Sequence, residues 1–376
     1  MNLASVQMLG WIALTIALFW AAPRRFQPYV AAASCALLLL VFSPVSFVVL
    51  SIFTALGYVP FRYGRRSAAG ALCAGGAVAA VFIWFKSGAA TGGALVPLGF
   101  GFYTLRALHY GLDSVKRALP PHTYWQFVSY MFFLPTIIAG PINRFQEFHR
   151  ELARRRFDKD LFSKGCERIL YGFVKIIVLA SYEVSHILRL RIEAMEGQHE
   201  ILAAYLDCIR YGLNLYFQFS GYSDVAIGFS MLLGFRIAEN FNYPFLARNI
   251  GDFWKRWHIS LSNWCRDYVY MMALSVSRRP WAAVIASMLV LGVWHELSPR
   301  YLAWGVYHGA GIAVWQGFQK VKKNIPAMDF AGGKYLTEGA SYLLTMNFVI
   351  LGFAITKEPD LASGLRVIGK ILFFWV

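Results

Sequence analysis

Long apolar runs separated by short polar loops occupy most of this sequence. A membrane-spanning helix needs roughly 20 apolar residues, which is close to the length of many of these runs. The candidate spans cover residues 6–22, 29–42, 45–60, 69–86, 94–110, 165–188, 201–219, 221–237, 281–297, 301–318, 337–355 and 364–376. We therefore predict an all-α polytopic membrane protein with about 10–12 transmembrane helices. No basic stretch precedes the first run, so it is predicted to be a membrane helix and not a cleaved signal.

Two shorter apolar stretches, 125–140 and 264–276, differ from these spans. Pro135, Gly140 and Pro141 would interrupt the first stretch before it crossed a bilayer. A broken helix at membrane depth needs protein or a water-filled cavity around it. We predict that both stretches are re-entrant or interfacial. Because no repeat or flexible linker divides the chain, we predict one integral domain over residues 1–376.

The basic residues are concentrated in short loops between the apolar runs. These loops contain Arg24 and Arg25; Arg62, Arg65 and Arg66; Lys116 and Arg117; and the stretch 144–164. Since cytoplasmic loops are enriched in Lys and Arg, this pattern predicts an N-terminus outside the cytoplasm. Residues 143–164 are the most charged piece and predict a helix or loop on the cytoplasmic surface. That piece would be a solvated, lipid-facing surface, or it would dock an acidic carrier protein or an anionic cofactor.

Composition agrees with a membrane protein and narrows the function classes. Of the 376 residues, 58% are hydrophobic and 15% are charged, whereas soluble domains carry roughly 25% charged residues. The net charge of +16 is explained by cytoplasmic loops facing anionic lipids, so no nucleic-acid partner is predicted. The five cysteines lack CxxC spacing, and neither a disulfide framework nor a zinc site is predicted.

One segment, 239–270, combines many ionisable residues with aromatic rings. Its ionisable residues are Glu239, Arg248, Asp252, Lys255, Arg256, His258, Arg266 and Asp267. Charged side chains in hydrocarbon cost several kcal/mol unless they pair, snorkel or line a wet cavity. The segment is therefore either a functional site or an interfacial amphipathic helix with a Trp/Lys/Arg belt.

Three of the eight histidines, His258, His295 and His308, lie in or beside apolar segments. His295 ends the apolar run before Pro299, and His308 follows on the next run. Histidine gains and loses a proton near neutral pH, so a buried one can act as a general base. Spacing alone does not choose between His295 and His308, and either could be a packing residue. No HxxxH, HExxH or Gly-x-Ser-x-Gly motif occurs, so neither a metal centre nor a serine hydrolase is predicted.

The motifs of the chain resemble those of the membrane-bound O-acyltransferases (MBOAT). The resemblance rests on ENFNYPFLAR at 239–248, FWKRWHISLS at 253–262, RDYVY at 266–270, PLGFGFYT at 97–104, FLPTIIAGPI at 133–142, and GVWH at 292–295 with WGVYHG at 304–309. It is to the bacterial branch, which includes alginate O-acetyltransferases and teichoic-acid D-alanyltransferases. It implies a ring of tilted helices around a central tunnel, with a core over 94–318, less diagnostic spans over 1–93 and C-terminal spans over 319–376.

The same resemblance implies roles for individual residues. His295 would be the active-site base, and His258 would be a second signature histidine at the cytoplasmic mouth of the tunnel. The other residues expected to line the tunnel or bind substrate are Gln218, Ser220, Asp224, Asn240, Asn242, Lys255, Arg256, Trp257, Arg266, Asp267, Trp294 and His308. Among these, Lys255, Arg256 and Arg266 could meet the phosphate of the acyl donor.

The resemblance also implies a reaction and its partners. An acyl group, acetyl or D-alanyl, would pass from a cytoplasmic thioester, carried by phosphopantetheine or coenzyme A, to a hydroxyl of an exported or cell-surface polysaccharide. No tightly bound cofactor is expected. The protein would sit in the bacterial inner membrane and could work with a periplasmic or membrane acyl-transfer partner. A transporter or flippase, or a scaffold without acyl chemistry, is the alternative. Glu296 departs from the glycine that many relatives carry after the signature histidine.

Overall fold

The computed structural model describes residues 6–63, 68–90, 96–322 and 333–373, and every regular element within them is helical. The predicted all-α class is therefore confirmed. Arg65, Arg66, the start of the predicted span 94–110 and the end of the predicted span 364–376 lie outside the described residues. The chain divides into two compact units, the first containing 1–174 and 221–239 and the second 175–220 and 240–376.

The helices follow the apolar runs closely. The first seven helices are α1 (Val6–Ala21), α2 (Gln27–Phe42), α3 (Pro44–Tyr63), α4 (Ala68–Ala90), α5 (Phe100–Val115), α6 (Tyr124–Met131) and α7 (Phe145–Arg154). Next come α8 (Lys159–Phe173), a π-helical stretch (Val174–Leu188), α9 (Arg189–Glu193) and α10 (Glu200–Leu232). The remainder are α11 (Ile250–Arg256), α12 (Ile259–Cys265), a π-helical turn (Arg266–Tyr270), α13 (Met271–Ser277), α14 (Pro280–His295), α15 (Pro299–Lys322), α16 (Gly333–Lys357) and α17 (Leu361–Phe373).

One predicted boundary is wrong. The runs 201–219 and 221–237 were expected to be separate spans, but α10 continues through Ser220 and Gly221 as a single helix of 33 residues. A lone glycine costs a helix only about 1 kcal/mol relative to alanine, and no proline removes a backbone donor here. The boundary between the two compact units falls within this helix, after Ser220.

The first unit contains the break that was predicted in 125–140. Helix α6 ends at Met131, before Pro135, and a short 3₁₀ turn follows at Leu134–Thr136. The fully buried guanidinium of Arg106 donates hydrogen bonds to the carbonyl oxygens of Tyr130 (3.2 Å) and Thr136 (2.6 Å). These bonds satisfy carbonyls that lose their helical partners at the break.

Among the described residues, one helical stretch, Tyr335–Lys357, is both long and apolar enough to cross a membrane. Five further apolar helices fall below that length: Gln7–Ala21, Gln27–Phe42, Pro44–Tyr58, Cys73–Gly88 and Pro280–His295. Length and apolarity by themselves are also found in the core helices of soluble proteins. The number of membrane crossings therefore stays a prediction.

In the second unit, α14 and α15 pack closely because glycines face the neighbouring backbone. A Cβ atom on Gly292 would lie 2.4 Å from the carbonyl oxygen of Tyr301, and one on Gly305 would lie 2.7 Å from that of Met288. Small residues allow two helices to approach at backbone distance. This seam fixes the end of α14, and with it His295, against the first turns of α15.

Candidate functional site

His258 lies in the short connection between α11 and α12 and is almost completely buried. Its backbone adopts a left-handed conformation with φ of +44°, which is uncommon for a residue other than glycine. The backbone N–H of Ile259 donates to the carbonyl oxygen of Asn240 at 2.9 Å. The backbone N–H of Ser262 donates to the carbonyl oxygen of His258, also at 2.9 Å. These bonds hold the turn that points the imidazole into the interior.

The side chain of Asn240 determines which nitrogen of His258 carries the proton. Oδ1 of Asn240 lies 3.3 Å from the backbone nitrogen of Ser260, 2.9 Å from Oγ of Ser260 and 3.0 Å from Nδ1 of His258. A backbone N–H can only donate, so the atom that faces it must be the carboxamide oxygen. Nδ1 of His258 therefore donates to the same oxygen, and in the neutral ring Nε2 carries the lone pair.

The lone pair on Nε2 of His258 is buried and accepts no hydrogen bond from the described residues. Burial, and then the neighbouring His295, keep the pKa of His258 well below its usual value, so the ring is neutral at pH 7. A buried acceptor without a partner costs about 1–3 kcal/mol, which a hydrogen-bond donor from a substrate or a water molecule would recover.

His295, the last residue of α14, lies beside His258. The centroids of the two imidazole rings are 6.5 Å apart, and the Trp294 ring is 4.8 Å from His295 and 5.8 Å from His258. Tyr301 stacks on His295 at 5.8 Å, and Trp304 meets it edge-on at 5.9 Å. His295 is partly exposed, whereas His258 is enclosed. The predicted pair of histidines is therefore brought together, with different access to solvent.

His308 occupies a separate aromatic box on α15. Its ring lies 5.4 Å from Trp254, 4.9 Å from Trp304 and 5.4 Å from Phe348. It is 2% exposed, and its Nδ1 has no partner among the described residues. Trp304 contacts both His295 and His308, so the two rings share one aromatic neighbour.

The predicted cationic residues are exposed or partly exposed. Lys255 and Arg266 are exposed, and Arg266 pairs with Asp267 at 2.8 Å. Arg256 is tied to Asp252 at 2.8 Å and donates to the carbonyl of Asn242 at 3.3 Å. Their expected contact with the phosphate of the acyl donor stays a prediction.

The remaining predicted residues divide between the two units. In the second unit, Gln218 is partly exposed, Oγ of Ser220 is buried without a partner among the described residues, and Trp257 stacks on Phe253 at 5.5 Å. Asp224 belongs to the first unit, where it forms a 2.6 Å ion pair with Arg168. The role of Asp224 in the site stays a prediction.

Two features of the site were missed by the sequence reasoning. Asn240 was expected to line the tunnel, but its contact with His258 was not predicted, because the two lie 18 positions apart across α11. Glu296 was noted beside His295 in the sequence, but its ion-pair partner was not predicted. Arg300 binds it through Nε (3.0 Å) and a terminal nitrogen (2.6 Å). Glu296 and Arg300 lie on opposite sides of the turn between α14 and α15, so helical i, i+4 spacing did not predict this pair.

The site offers little to a metal ion. Within the ranges that the structure describes, no three His, Cys, Asp or Glu side chains lie close enough together to hold one. Two imidazoles supply fewer ligands than the three or four that protein zinc sites use. The expectation that the reaction needs no tightly bound cofactor stays a prediction.

Comparison with known proteins places these residues in a family. The probable alginate O-acetylase AlgI of Pseudomonas aeruginosa is 32% identical over 288 residues, which cover 74% of this chain and 52% of the relative. The teichoic acid D-alanyltransferase of Streptococcus thermophilus is 32% identical over 279 residues, or 69% of this chain and 67% of the relative. The peptidoglycan O-acetyltransferase of Helicobacter pylori is 27% identical over 313 residues, or 73% and 56%.

The chain spans about half the length of the alginate relatives that it matches. Residues 112–329, which contain both His258 and His295, match the family model of the membrane-bound O-acyltransferases. This match covers more than half of the 376 residues. The protein is a member of the membrane-bound O-acyltransferase family.

Proposed function

We propose that this protein transfers an acyl group from a cytoplasmic thioester to a hydroxyl of an exported or cell-surface polysaccharide. The observation that carries the proposal is the pair His258 and His295, whose rings lie 6.5 Å apart within the region matched by the family. Two imidazoles at this distance can engage the same small reacting group from two sides. The relatives named above are an alginate O-acetylase, a teichoic acid D-alanyltransferase and a peptidoglycan O-acetyltransferase.

In the proposed reaction, His295 removes the proton of the acceptor hydroxyl. The hydroxyl oxygen then attacks the thioester carbonyl carbon, the new C–O bond forms, and the C–S bond breaks after the tetrahedral intermediate. The leaving thiolate takes up the proton held by His295, so that the imidazole returns to its neutral form. No covalent acyl-enzyme is needed, because a thioester is reactive enough for direct attack.

His258 has a different proposed role. With Nδ1–H bonded to Asn240, its Nε2 enters the reaction as an acceptor and not as an acid. It would accept a hydrogen bond from the donor or the acceptor substrate and so orient it against His295. Orientation of reacting groups in this way can lower a barrier by several kcal/mol.

The acyl donor is proposed to be carried by phosphopantetheine, on a carrier protein or as coenzyme A. The exposed Lys255 and Arg266, together with the partly exposed Arg256, offer cationic groups for its phosphate. A carrier protein rich in acidic residues would meet the same groups. A periplasmic or membrane acyl-transfer partner would act on the opposite side.

We further propose that the protein crosses the bacterial inner membrane several times, with its N-terminus outside the cytoplasm. In this arrangement a tunnel leads the thioester to His295 from the cytoplasm, and the glycan reaches it from the other side. The apolar runs and the basic loops of the sequence support this proposal.

Mass spectrometry of envelope polysaccharide tests the function and identifies the acyl group. Polysaccharide from cells with and without the protein is compared, and an increment of one acetyl or one alanyl group per modified sugar is expected only in the former. Identical ester content in the two samples would contradict acyl transfer and favour a transporter. Ester formation that requires a second acyltransferase, with no thioester consumption by this protein, would favour a scaffold.

A further inference from the structure

A basic cavity of about 510 Å³ lies in the first unit. It is lined by Arg24, Arg25, Pro28, Tyr29, Gln126, Ser129, His149, Leu152, Ala153 and Arg155. Three of these residues are arginines, and none of the lining residues, all of which the structure describes, is Asp or Glu. Such a lining favours an anion.

Two arginines of this cavity, Arg24 and Arg155, donate hydrogen bonds to neutral oxygens. Arg155 is 93% buried, since 7% of it is exposed, and its Nε donates to Oε1 of Gln27 at 3.2 Å. Its terminal nitrogens donate to the carbonyls of Leu152 and Arg24, and a terminal nitrogen of Arg24 donates to the carbonyl of Ala153 at 2.8 Å. Burial, and then the nearby charge of Arg24, lower the pKa of Arg155 to about 10. An anion in the cavity would relieve this repulsion.

An apolar groove of about 560 Å³ adjoins the basic cavity. It is lined by Tyr29, Ala32, Ala33, Ala36, Trp125, Val128 and Phe132, and it shares Tyr29 with the cavity. The groove runs along α2 and α6, where the rings of Tyr29 and Trp125 meet edge-on at 6.2 Å. Small alanines on α2 leave the floor open, while Trp125 is 57% exposed. An extended hydrocarbon chain fits this lining.

We propose that the basic cavity and the apolar groove together bind one anionic glycerophospholipid. The phosphate lies among Arg24, Arg25 and Arg155, and an acyl chain lies in the groove beside Trp125. A free phosphate would occupy only the basic cavity and leave the apolar groove empty. A zwitterionic lipid would bring its positively charged ammonium group close to three arginines. The sequence pattern predicts that Arg24, Arg25 and residues 144–164 face the cytoplasm, where anionic lipids attract basic residues.

The site also has a structural consequence. Arg24 precedes α2 and Arg155 follows α7, so that a phosphate bound to both would join the ends of two helices. Aromatic residues such as Tyr29 and Trp125 are typical of the membrane interface, at the depth of lipid headgroups. The proposal is independent of acyl transfer and requires only that the protein is embedded in a bilayer.

Native mass spectrometry of the full detergent-purified chain, titrated with phosphatidylglycerol or phosphatidylcholine, tests the proposal. The wild type is expected to bind phosphatidylglycerol more tightly. Arg25→Gln should weaken phosphatidylglycerol binding about fivefold, the effect of one basic residue near a lipid phosphate, and leave phosphatidylcholine unaffected. Trp125→Ala should weaken both lipids by the same factor, because it alters only the groove.

Arg154→Gln is the matched control. Arg154 ends α7, is exposed and does not line the cavity, yet its substitution removes the same charge. The affinity of the Arg154→Gln protein for phosphatidylglycerol should stay within about twofold of that of the wild type. Equal affinity for the two lipids, an equal loss in Arg154→Gln and Arg25→Gln, or full displacement of phosphatidylglycerol by millimolar inorganic phosphate would each overturn the proposal.

Discussion

Asn240 and His258 are joined by a 3.0 Å hydrogen bond in which Nδ1 of the imidazole donates to Oδ1 of the carboxamide. The backbone N–H of Ser260 donates to the same oxygen, which fixes the orientation of the amide. His258 is thereby held in one tautomer with the lone pair on Nε2. An orienting group of this kind behind a histidine is a recurring feature of acid–base sites.

Replacement of Asn240 should impair acyl transfer through His258. Asn240→Ala removes the acceptor that selects the tautomer, and kcat should fall about 10- to 100-fold, as is typical when the group that orients an imidazole is lost. Asn240→Asp puts a carboxylate against Nδ1–H and should raise the pKa of His258. The acid limb of its pH–rate profile should therefore move to higher pH.

Ser260→Ala provides the control for this comparison, because it removes one donor to Asn240 but leaves the bond to His258. It should cause a smaller loss and leave the acid limb where it was. A ¹⁵N spectrum of histidine-labelled protein, with the His258 signal assigned by His258→Gln, reports the tautomer without reference to activity. A protonated Nε2 in the neutral wild type would show that Asn240 does not act as described.

Acid should destabilise the protein through His258. Its folded-state pKa is lowered, chiefly by burial, whereas in the unfolded chain it is near the usual 6.5. Between these two values the unfolded state binds more protons, so stability rises with pH, by at most about 1.4 kcal/mol per unit. Thermal unfolding in detergent should show a midpoint that falls as pH drops below about 6.5.

His258→Gln removes the titrating group and should flatten this dependence over the same range. The comparison is between slopes and not between absolute midpoints, since the substitution also alters packing against Phe219, whose ring lies 4.5 Å away. Identical slopes in the two proteins would assign the acid sensitivity to other groups.

Two glycines of α15 should respond in opposite ways to the same substitution. Gly305→Ala places a methyl group 2.7 Å from the carbonyl oxygen of Met288 and should cost about 1–3 kcal/mol, as overpacking does. Gly317 has no atom within 4 Å of the new methyl group, so Gly317→Ala should stabilise the helix by about 0.5–1 kcal/mol. Unfolding by denaturant measures both, and equal effects would contradict the close seam with α14.

Most of the helices could be predicted because each apolar run is bounded by polar or proline residues. The exception, α10, shows the limit of this reasoning. The polar stretch around Ser220 was expected to separate two spans, yet it lies inside the single helix α10. A polar stretch in the sequence suggests an exposed loop, but it does not establish that a helix ends there.

The site could be predicted only in part, since motifs identify residues but not their partners. His258 and His295 were found through their motifs, and the structure brings them together. The ion pair between Asp224 and Arg168, 56 positions earlier, was not predicted. Contacts between residues so far apart depend on the path of the chain, which no local pattern contains.

The central claim, that His295 is the base for acyl transfer, is tested most directly by His295→Gln in cells that lack the wild-type protein. The ester content of the envelope polysaccharide is measured alongside the amount of membrane-inserted protein, and His199→Gln, at an exposed position before α10, serves as the control. Loss of a general base predicts a decrease of about 10²- to 10⁴-fold in the rate of ester formation per molecule of His295→Gln, with normal insertion. Ester formation by His295→Gln at the rate of His199→Gln would contradict the claim.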